Sequence, residues 1–283
     1  MDYELVSAIK PIDKIWQTQK QRLIEKNGKV ISLSPSPNFN QLKKIEGVEG
    51  INLLDELTKR EYHPDNFLFF NQIPTAVSAE VFMNEDRSIS VINDGTEIAR
   101  VATYPETRRH VKEVKYLNSD NTTDFIEEYA DDGQLYSNIF FFNDKVHEID
   151  FYNSKQFPII QYFFYEGQIN LVVVRDQNTG KVTNKYSSLV QFLTDQVANR
   201  VTEKDNVSIS YMGLELFALE KTKSRNVLYL TESPLTGTGC IKGNLLSILE
   251  NKIPYIQEVK MSREHYNKLV GKNVCLDKVT KID

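Results

Sequence analysis

Turn residues and β-rich runs alternate through the middle of the chain, from residue 80 to residue 186. Paired turn residues recur every ten to thirteen positions in the later part of this region, at Asp131-Asp-Gly133, Asn143-Asp144, Asn153-Ser154, Glu166-Gly167 and Asn178-Thr-Gly180. Turn residues at this spacing between apolar runs are typical of antiparallel strands joined by short hairpins. The pattern predicts an extended antiparallel β-meander domain over residues 80–186.

The strands predicted in this domain are apolar on both faces. The aromatic residues that strict alternation places together on one face of each strand are Tyr136, Phe140 and Phe142 in Leu135–Phe142, and Tyr162 and Phe164 in Ile159–Tyr165. Antiparallel sheets usually leave one face to water. A second apolar face is therefore covered within the chain or binds another molecule. Both alternatives stay open, and the second assigns these five aromatic residues to contacts with a partner or polypeptide.

Helical periodicity follows a capping residue near the N-terminus. Asp13 precedes apolar residues at helical spacing between Ile15 and Ile24, and Asn27-Gly28 ends the pattern. A short β run comes next, and we interpret Phe67–Phe70 as a second buried strand. The alternation of helices and strands predicts that residues 1–79 form the first part of a Rossmann-like layer.

Helical spacing returns after the meander, between Leu189 and Val197. Asn226–Leu230 is typical of a buried strand, and the apolar positions of Leu245–Leu249 indicate a helix. We interpret residues 187–283 as a helical return followed by the start of a second Rossmann-like part. The sequence thus predicts an α/β fold with an inserted antiparallel β-meander domain.

Composition excludes several classes of protein. The 283 residues include 34 Lys and Arg against 39 Asp and Glu, a formal net charge of −5, and 40% are hydrophobic. These values are typical of a soluble globular protein and lack the basic excess of a nucleic-acid binder. Because no apolar run is long enough to cross a bilayer and Met1–Lys10 lacks a signal-peptide pattern, we expect a cytoplasmic location without a transmembrane segment.

A glycine-rich stretch, Thr236–Gly243, lies between the predicted strand and helix near the C-terminus. Backbone N–H groups in this context can cradle a phosphate. Its glycines miss the spacing of the dinucleotide fingerprint by one residue, and the Gly-Lys-Ser/Thr ending of a P-loop is absent. A plain turn is therefore the favoured interpretation. The alternative is a degenerate nucleotide-sugar loop formed by Gly237, Gly239, Gly243 and Asn244.

Residue types used in catalysis and metal binding form no recognisable pattern. The four histidines, which fall in separate segments, are His63, His110, His147 and His265, and the two cysteines are Cys240 and Cys275. No two histidines have the spacing of metal ligands, and no Gly-x-Ser-x-Gly or cysteine nucleophile signature occurs. We predict no catalytic residue, no metal site and no cofactor.

A small basic cluster, Arg108-Arg109-His110, lies beside Pro105. Such a cluster can bind phosphate or an acidic partner. A solvated loop is the favoured interpretation.

Several segments resemble one family. They are Phe69–Pro74, Val111–Leu117, Glu128-Tyr129 followed by Asp132-Gly133, Phe151–Asn153, and Glu232 followed by Ile241–Asn244. These segments look like the stabilising partner subunit of the glycosyltransferase pair in the accessory Sec system of Gram-positive bacteria. The resemblance implies an incomplete GT-B-like glycosyltransferase fold, in which a long β-sheet domain is inserted into the first of two Rossmann-type halves. Relatives continue further into the second half, so the resemblance also implies a chain shortened at its C-terminus.

By this resemblance, the protein is a non-catalytic subunit of a protein O-glycosyltransferase complex. Its implied partners are a catalytic sister subunit that adds N-acetylglucosamine to Ser and Thr, and the serine-rich repeat adhesin polypeptide. The implied location is the cytoplasm or the cytoplasmic face of the cell membrane, as a peripheral protein. The competing hypothesis is an active sugar-nucleotide-dependent glycosyltransferase that uses the glycine-rich stretch. A third alternative is an unrelated role in which the sheet aromatics are ordinary core residues.

Overall fold

The computed structural model describes residues 1–282 and contains two compact units. The first unit comprises Met1–Pro35, Leu42–Leu53 and the chain from Val190 onward. The second comprises Ser36–Gln41 and Leu54–Leu189. Because the first holds a parallel sheet with helices and the second an antiparallel sheet, the predicted α/β class with an inserted β-meander is confirmed.

The strands, in chain order, are β1 (Asp2–Val6), β2 (Lys29–Ser32), β3 (Gly50–Asn52), β4 (Glu80–Met83), β5 (Ile89–Asn93), β6 (Thr96–Thr103), β7 (Val111–Leu117), β8 (Thr123–Tyr129), β9 (Leu135–Phe142), β10 (Lys145–Tyr152), β11 (Pro158–Tyr165), β12 (Gln168–Arg175), β13 (Val182–Tyr186), β14 (Asn206–Ile209), β15 (Arg225–Leu230), β16 (Glu258–Ser262) and β17 (Val279–Ile282). The helices are α1 (Lys14–Lys26), α2 (Phe39–Glu46), α3 (Leu53–Thr58), α4 (Leu189–Arg200), α5 (Leu214–Ala218), α6 (Gly243–Leu249) and α7 (Arg263–Leu269). No helix in residues 1–282 has the length and apolar character needed to span a bilayer.

The first unit, here the parallel unit, contains a seven-stranded sheet in the order β17-β16-β15-β14-β1-β2-β3. All of its strand pairs are parallel. The chain runs outward from β1 to β3 and, after the insertion, outward in the other direction from β14 to β17. This is the doubly wound Rossmann arrangement, with its switch point between β1 and β14.

The expectation that residues 187–283 begin a second Rossmann-like part is corrected by this topology. Strands β14 to β17 extend the sheet begun by β1 to β3, because β14 pairs directly with β1, Tyr3 opposite Val207. Apolar periodicity predicts that a strand is buried, but it contains no information on which strand lies beside it.

Helix α1 matches its predicted limits because both ends are capped. The Asp13 carboxylate accepts a hydrogen bond from the backbone N–H of Ile15, and Asn27 ends the helix in the left-handed region at φ 49°. Within the same unit, Arg22 of α1 donates to the buried Glu4 of β1 from Nε at 2.8 Å and from Nη2 at 3.0 Å. Arg22 Nη2 also donates to Oγ of Ser210, which follows β14, at 2.9 Å. Buried charges need such partners, and these bonds tie α1 to both central strands.

The second unit, here the meander unit, contains a ten-stranded antiparallel sheet in which every strand from β4 to β13 pairs with its sequence neighbours. Tight turns join several of the pairs. Asn143 and Asp144 both have positive φ, at 49° and 58°, as do Glu166 and Gly167 at 49° and 77°. Two consecutive positive φ angles are the mark of a type I′ turn, whose twist matches that of the flanking strands. The paired turn residues of the sequence therefore do join hairpins.

An apolar segment before β4 packs onto this sheet. Ile73 belongs to the same buried cluster as Val91 of β5, Val101 of β6 and Val114 of β7. The interpretation of residues 67–70 as a strand of the Rossmann-like layer is wrong. Phe69 instead forms an isolated antiparallel bridge with His110, and a short 3-10 helix follows. An aromatic run is equally suited to either sheet, so the sequence did not distinguish them.

Candidate functional site

A cavity of about 650 Å³ lies in the parallel unit, at the carboxyl ends of β1 and β14. Its walls include the turn after β1, the start of α1, the loop after β14 and the start of α6. Open parallel sheets bind ligands at the point where strand order reverses, because the connections diverge there and leave a gap. We call this cavity the switch-point crevice. The polar residues that line it include Ser7, Asp13, Tyr211, Glu215 and Lys242.

Glu215 closes one side of the switch-point crevice. Its Oε1 accepts hydrogen bonds from the backbone N–H of Ser7 at 2.8 Å and from the Ser7 hydroxyl at 2.6 Å. Glu215 is only 3% exposed, so these donors compensate a carboxylate that has lost most of its water. The bonds fix the turn after β1 against the first turn of α5.

Asp13 and Tyr211 form the second polar pair. The Tyr211 hydroxyl donates to Asp13 Oδ2 at 2.7 Å, while Asp13 Oδ1 accepts from the backbone N–H of Ile15 at 2.9 Å. The Tyr211 hydrogen bond is the main reason that the pKa of Asp13 is lowered. Burial, followed by the hydrogen bond to Asp13, raises the pKa of Tyr211 to about 12. Asp13 is therefore a carboxylate, and Tyr211 a neutral donor, at physiological pH.

Lys242 and Asn244 form the third wall. Lys242 Nζ donates to Glu232 Oε2 at 2.6 Å, and Asn244 Nδ2 donates to the backbone carbonyl of Met212 at 2.8 Å. Gly243 lines the crevice between them, and a Cβ added there would meet no atom within 4 Å. Part of the glycine-rich stretch thus lies at the crevice, with its lysine already paired to a carboxylate.

The other two glycines of that stretch belong to a small hairpin. Thr236 N–H donates to the Cys240 carbonyl at 2.8 Å, and Gly239 N–H donates to the Thr236 carbonyl at 2.9 Å. Gly239 has φ 78°, a left-handed conformation that glycine adopts without strain, so the turn itself accounts for a glycine at this position. Gly237 and Gly239 are not among the residues that line the crevice. The backbone donors of Thr236 and Gly239 are used within the hairpin and do not point at a ligand.

The crevice favours a neutral, hydroxyl-bearing ligand over a phosphate. The turn between β1 and α1 contains no glycine, and the Asp13 carboxylate occupies the N-terminus of α1, where a Rossmann fold would hold a pyrophosphate. Glu215 and Glu232 add two further carboxylates, against the cations Lys10 and Lys242. Carboxylates accept hydrogen bonds from hydroxyl groups and repel phosphate oxygens.

The structure places the five aromatic residues of the meander in different environments. Tyr136 and Tyr162 are each 3% exposed, and both pack edge-on against Phe151 at ring-centroid distances of 6.0 and 4.9 Å. They are core residues of the meander unit, which corrects their assignment to a partner surface. Phe140 and Phe164 are half-buried, and Phe142 is 69% exposed.

A β-bulge explains why Tyr136 and Phe140 do not share a face. Ser137 and Leu135 oppose consecutive residues of β8, so Tyr136 is skipped in the register. An extra residue of this kind interrupts the alternation of side chains. Phe151 of β10 lies opposite Ser137 of β9, so these two side chains are on the same face of the sheet. Tyr136 packs against Phe151 and therefore lies on that face, whereas Phe140 lies on the other.

Local sequence patterns indicate little of the crevice. They mark Asp13 only as a helix cap and do not single out Ser7, Tyr211 or Glu215. The available signal was positional, because Ser7 directly follows β1 and Tyr211 follows β14 by two residues. This signal is useful only if β1 and β14 are known to be neighbours, and long-range strand pairing decides whether they are.

Comparisons with known proteins show the fold. No protein-family profile matches the chain, and no curated protein matches its sequence. Solved structures that resemble it include a subunit of the Glycosylation Associate Protein (Gap123) complex from Streptococcus agalactiae, at 13% identity and TM-score 0.74 over 99% of this chain and 60% of the other. A GtfA/B complex bound to UDP and GlcNAc matches at 16% identity and TM-score 0.73, covering 99% of this chain and 61% of the other.

The pneumococcal O-GlcNAc transferase GtfA, in complex with UDP and GlcNAc, matches at 12% identity and TM-score 0.77 over the whole of this chain and 60% of the other. The chain therefore has the fold shared by these proteins, and it spans about 60% of their length.

Proposed function

We propose that this chain is a non-catalytic subunit of a protein O-glycosyltransferase complex, of the kind that stabilises the catalytic subunit in the accessory Sec system. Its partners in this proposal are a catalytic glycosyltransferase and a serine-rich repeat adhesin polypeptide, which receives N-acetylglucosamine on Ser and Thr. The observation that carries the proposal is the match of nearly the whole chain, insertion included, to subunits of glycosylation complexes. We place the complex in the cytoplasm, or peripherally at the cytoplasmic face of the membrane.

The chemistry of the switch-point crevice supports a hydroxyl-bearing substrate. Asp13 and Glu215 are acceptors held in place by their own donors, and Tyr211 is neutral at physiological pH. A Ser/Thr-rich segment contains hydroxyls and backbone N–H groups that such carboxylates can bind. In this proposal, carboxylates so held orient a polypeptide.

The meander unit supplies the surface proposed for the catalytic partner. Phe142, at the tip of the β9–β10 hairpin, is the most exposed of the five aromatic residues, and the half-buried Phe140 lies on the same strand. Exposed aromatic side chains are enriched where proteins bind each other, because they bury large areas with few rotatable bonds.

Co-purification and sugar transfer test this proposal together. The chain is mixed with a candidate catalytic glycosyltransferase and a Ser/Thr-rich repeat peptide, and transfer of N-acetylglucosamine is measured with and without the chain. We expect a stable complex, enhanced transfer in its presence, and no transfer by the chain alone. Absence of both complex formation and enhancement would contradict the stabilising role.

A catalytic role for the chain itself is the second candidate, because Lys242, Gly243 and Asn244 do line the crevice. This role requires binding of a sugar nucleotide, which the stabilising role does not. Transfer by the chain alone, lost in Lys242→Gln, would favour the catalytic role and overturn the first proposal.

A further inference from the structure

A second cavity, of about 840 Å³, lies entirely within the meander unit. Its volume is in the range of small-molecule sites. We call it the arginine cavity and define it by Arg87, Arg108, Arg109, Phe69 and Met83. The arginines are the only charged residues among those that line it. Their charge of +3 contrasts with the net charge of −5 for the whole chain.

The three guanidinium groups are uncompensated. Within residues 1–282, none of Arg87, Arg108 and Arg109 forms a salt bridge or a side-chain hydrogen bond. The carboxylate nearest in sequence to Arg87 is Asp86, whose Oδ1 is occupied by the backbone N–H and the hydroxyl of Ser88, at 2.9 and 2.6 Å. Like charges in one concave site repel each other and focus the field on the cavity. All three residues are exposed, so their guanidinium donors are accessible to an anion from solution.

Backbone contacts hold the arginines in position. Arg87 lies in the hairpin between β4 and β5 at φ 70°, where its N–H donates to the Asn84 carbonyl at 2.9 Å. Arg108 has φ 54°, and its N–H donates to the carbonyl of the buried Tyr104 at 2.9 Å. Arg109 is fixed through its carbonyl, which accepts from the Phe70 N–H at 3.2 Å. Two non-glycine residues in the left-handed region persist only where surrounding contacts require it.

The rest of the lining is mostly apolar, with Asn71 and Thr103 as its two uncharged polar residues. Phe69 packs edge-on against the ring of His110 at a centroid distance of 5.4 Å, and that ring stacks on Phe67 at 4.6 Å with an interplanar angle of 3°. Ile89, a buried member of the sheet core, also lines the cavity. The three arginines therefore line a cavity that also has an apolar side formed by Phe69, Phe70, Met83 and Ile89.

We propose that the arginine cavity binds a small molecule that carries at least two phosphate groups joined to an apolar or aromatic portion. Guanidinium forks match phosphate oxygens in bidentate geometry, and three of them exceed what one singly charged group satisfies. The apolar wall provides contact area for the rest of the ligand. The site is separate from the switch-point crevice, and it does not depend on the function proposed above.

Calorimetric titration of the full chain tests the site with pyrophosphate, inorganic phosphate, succinate and ADP as probes. We expect pyrophosphate to bind at least tenfold more tightly than phosphate or succinate. ADP should bind more tightly than pyrophosphate because its base adds apolar contact. No binding of pyrophosphate or ADP, or equal binding of succinate, would overturn the proposal.

Substitutions locate the binding. Arg87→Gln, Arg108→Gln and Arg109→Gln should each weaken pyrophosphate binding about tenfold or more, as expected for loss of a charge-assisted hydrogen bond. Arg→Lys at the same positions should weaken it less, because the charge remains while the fork is lost. Phe69→Ala should reduce the preference for ADP over pyrophosphate.

Arg100→Gln is the matched control, because it removes the same charge from β6 at a residue that pairs with Glu97 outside the cavity. It should leave pyrophosphate binding unchanged. Thermal unfolding of each variant shows whether the meander unit remains folded. Equal weakening by Arg100→Gln would indicate nonspecific attraction and overturn the site, as would preferential binding of an acidic peptide over both phosphate compounds.

Discussion

In the switch-point crevice, each of the three carboxylates has a donor from the same unit: Tyr211 for Asp13, Ser7 for Glu215, and Lys242 for Glu232. In the arginine cavity, three guanidinium groups have no such partner within residues 1–282.

The difference shows two ways of preparing a site. A paired charge is held in one geometry and presents a fixed pattern of acceptors. An unpaired charge retains its full attraction for an ion from solution. Substitutions in both units can measure how far each unit relies on paired groups or on burial.

Removing a buried aromatic ring should destabilise the meander unit more than removing an exposed one. We expect Phe151→Ala to lower the free energy of unfolding by about 3–5 kcal/mol, because the ring is buried between Tyr136 and Tyr162. Phe142→Ala should change it by less than about 0.5 kcal/mol and weaken partner binding. Urea unfolding measures the first effect and co-purification the second. A large loss of stability in Phe142→Ala, with unchanged affinity, would make Phe142 an ordinary core residue.

Breaking the buried ion pair should show how strongly the parallel unit depends on charge compensation. Arg22→Met leaves Glu4 buried without its partner, so we expect a loss of about 3–5 kcal/mol in the free energy of unfolding. Arg225→Met, the matched control at the more exposed Arg225–Glu258 pair, should cost at most about 1 kcal/mol. Denaturant unfolding of both variants gives the comparison. Similar losses of unfolding free energy in the two variants would mean that breaking the buried Arg22–Glu4 pair costs no more than breaking an exposed pair.

Removing a carboxylate from the switch-point crevice should have an intermediate effect. Asp13→Ala removes the N-cap of α1 and the acceptor for Tyr211, with an expected cost of about 0.5–2 kcal/mol. Tyr211→Phe keeps the cap and should cost less. Thermal unfolding measures both. If Asp13→Ala were as stable as the wild type, Asp13 would be available for a role other than structure.

Two adjacent carboxylates on the meander should produce a small pH dependence. Burial, followed by the Asp150 charge, raises the pKa of Glu148 to about 7, above its ordinary value of 4.5. Between these values the folded chain binds a proton that the unfolded chain has released. This contribution to stability is therefore present at about pH 4.5 and is lost as the pH rises through 7.

Glu148→Gln should remove that dependence. Urea unfolding at pH 5 and pH 8 is the measurement, and the variant should lose less stability than the wild type between the two. The matched control is Glu166→Gln, at an exposed turn residue, which should leave the wild-type pH dependence unchanged. An identical slope for wild type and Glu148→Gln would show that Glu148 titrates normally.

Local features of the sequence determined much of the fold. The turn pairs such as Asn143-Asp144 and Glu166-Gly167 predicted the meander, because their backbone conformations depend mainly on neighbouring residues. Asp13 and Asn27 predicted the limits of α1 for the same reason. The expected α/β layer flanking the meander was also correct.

Only the tertiary structure decided which strands became neighbours and which side chains met. The pairing of β1 with β14 joins residues more than 200 positions apart, and it creates the switch-point crevice. The bulge at Tyr136 reversed the face of one aromatic residue, and the cluster Arg108-Arg109 became part of a cavity only when the hairpin with Arg87 packed beside it. Strand pairing and packing depend on contacts summed over the whole chain, whereas turns and caps depend on a few adjacent residues.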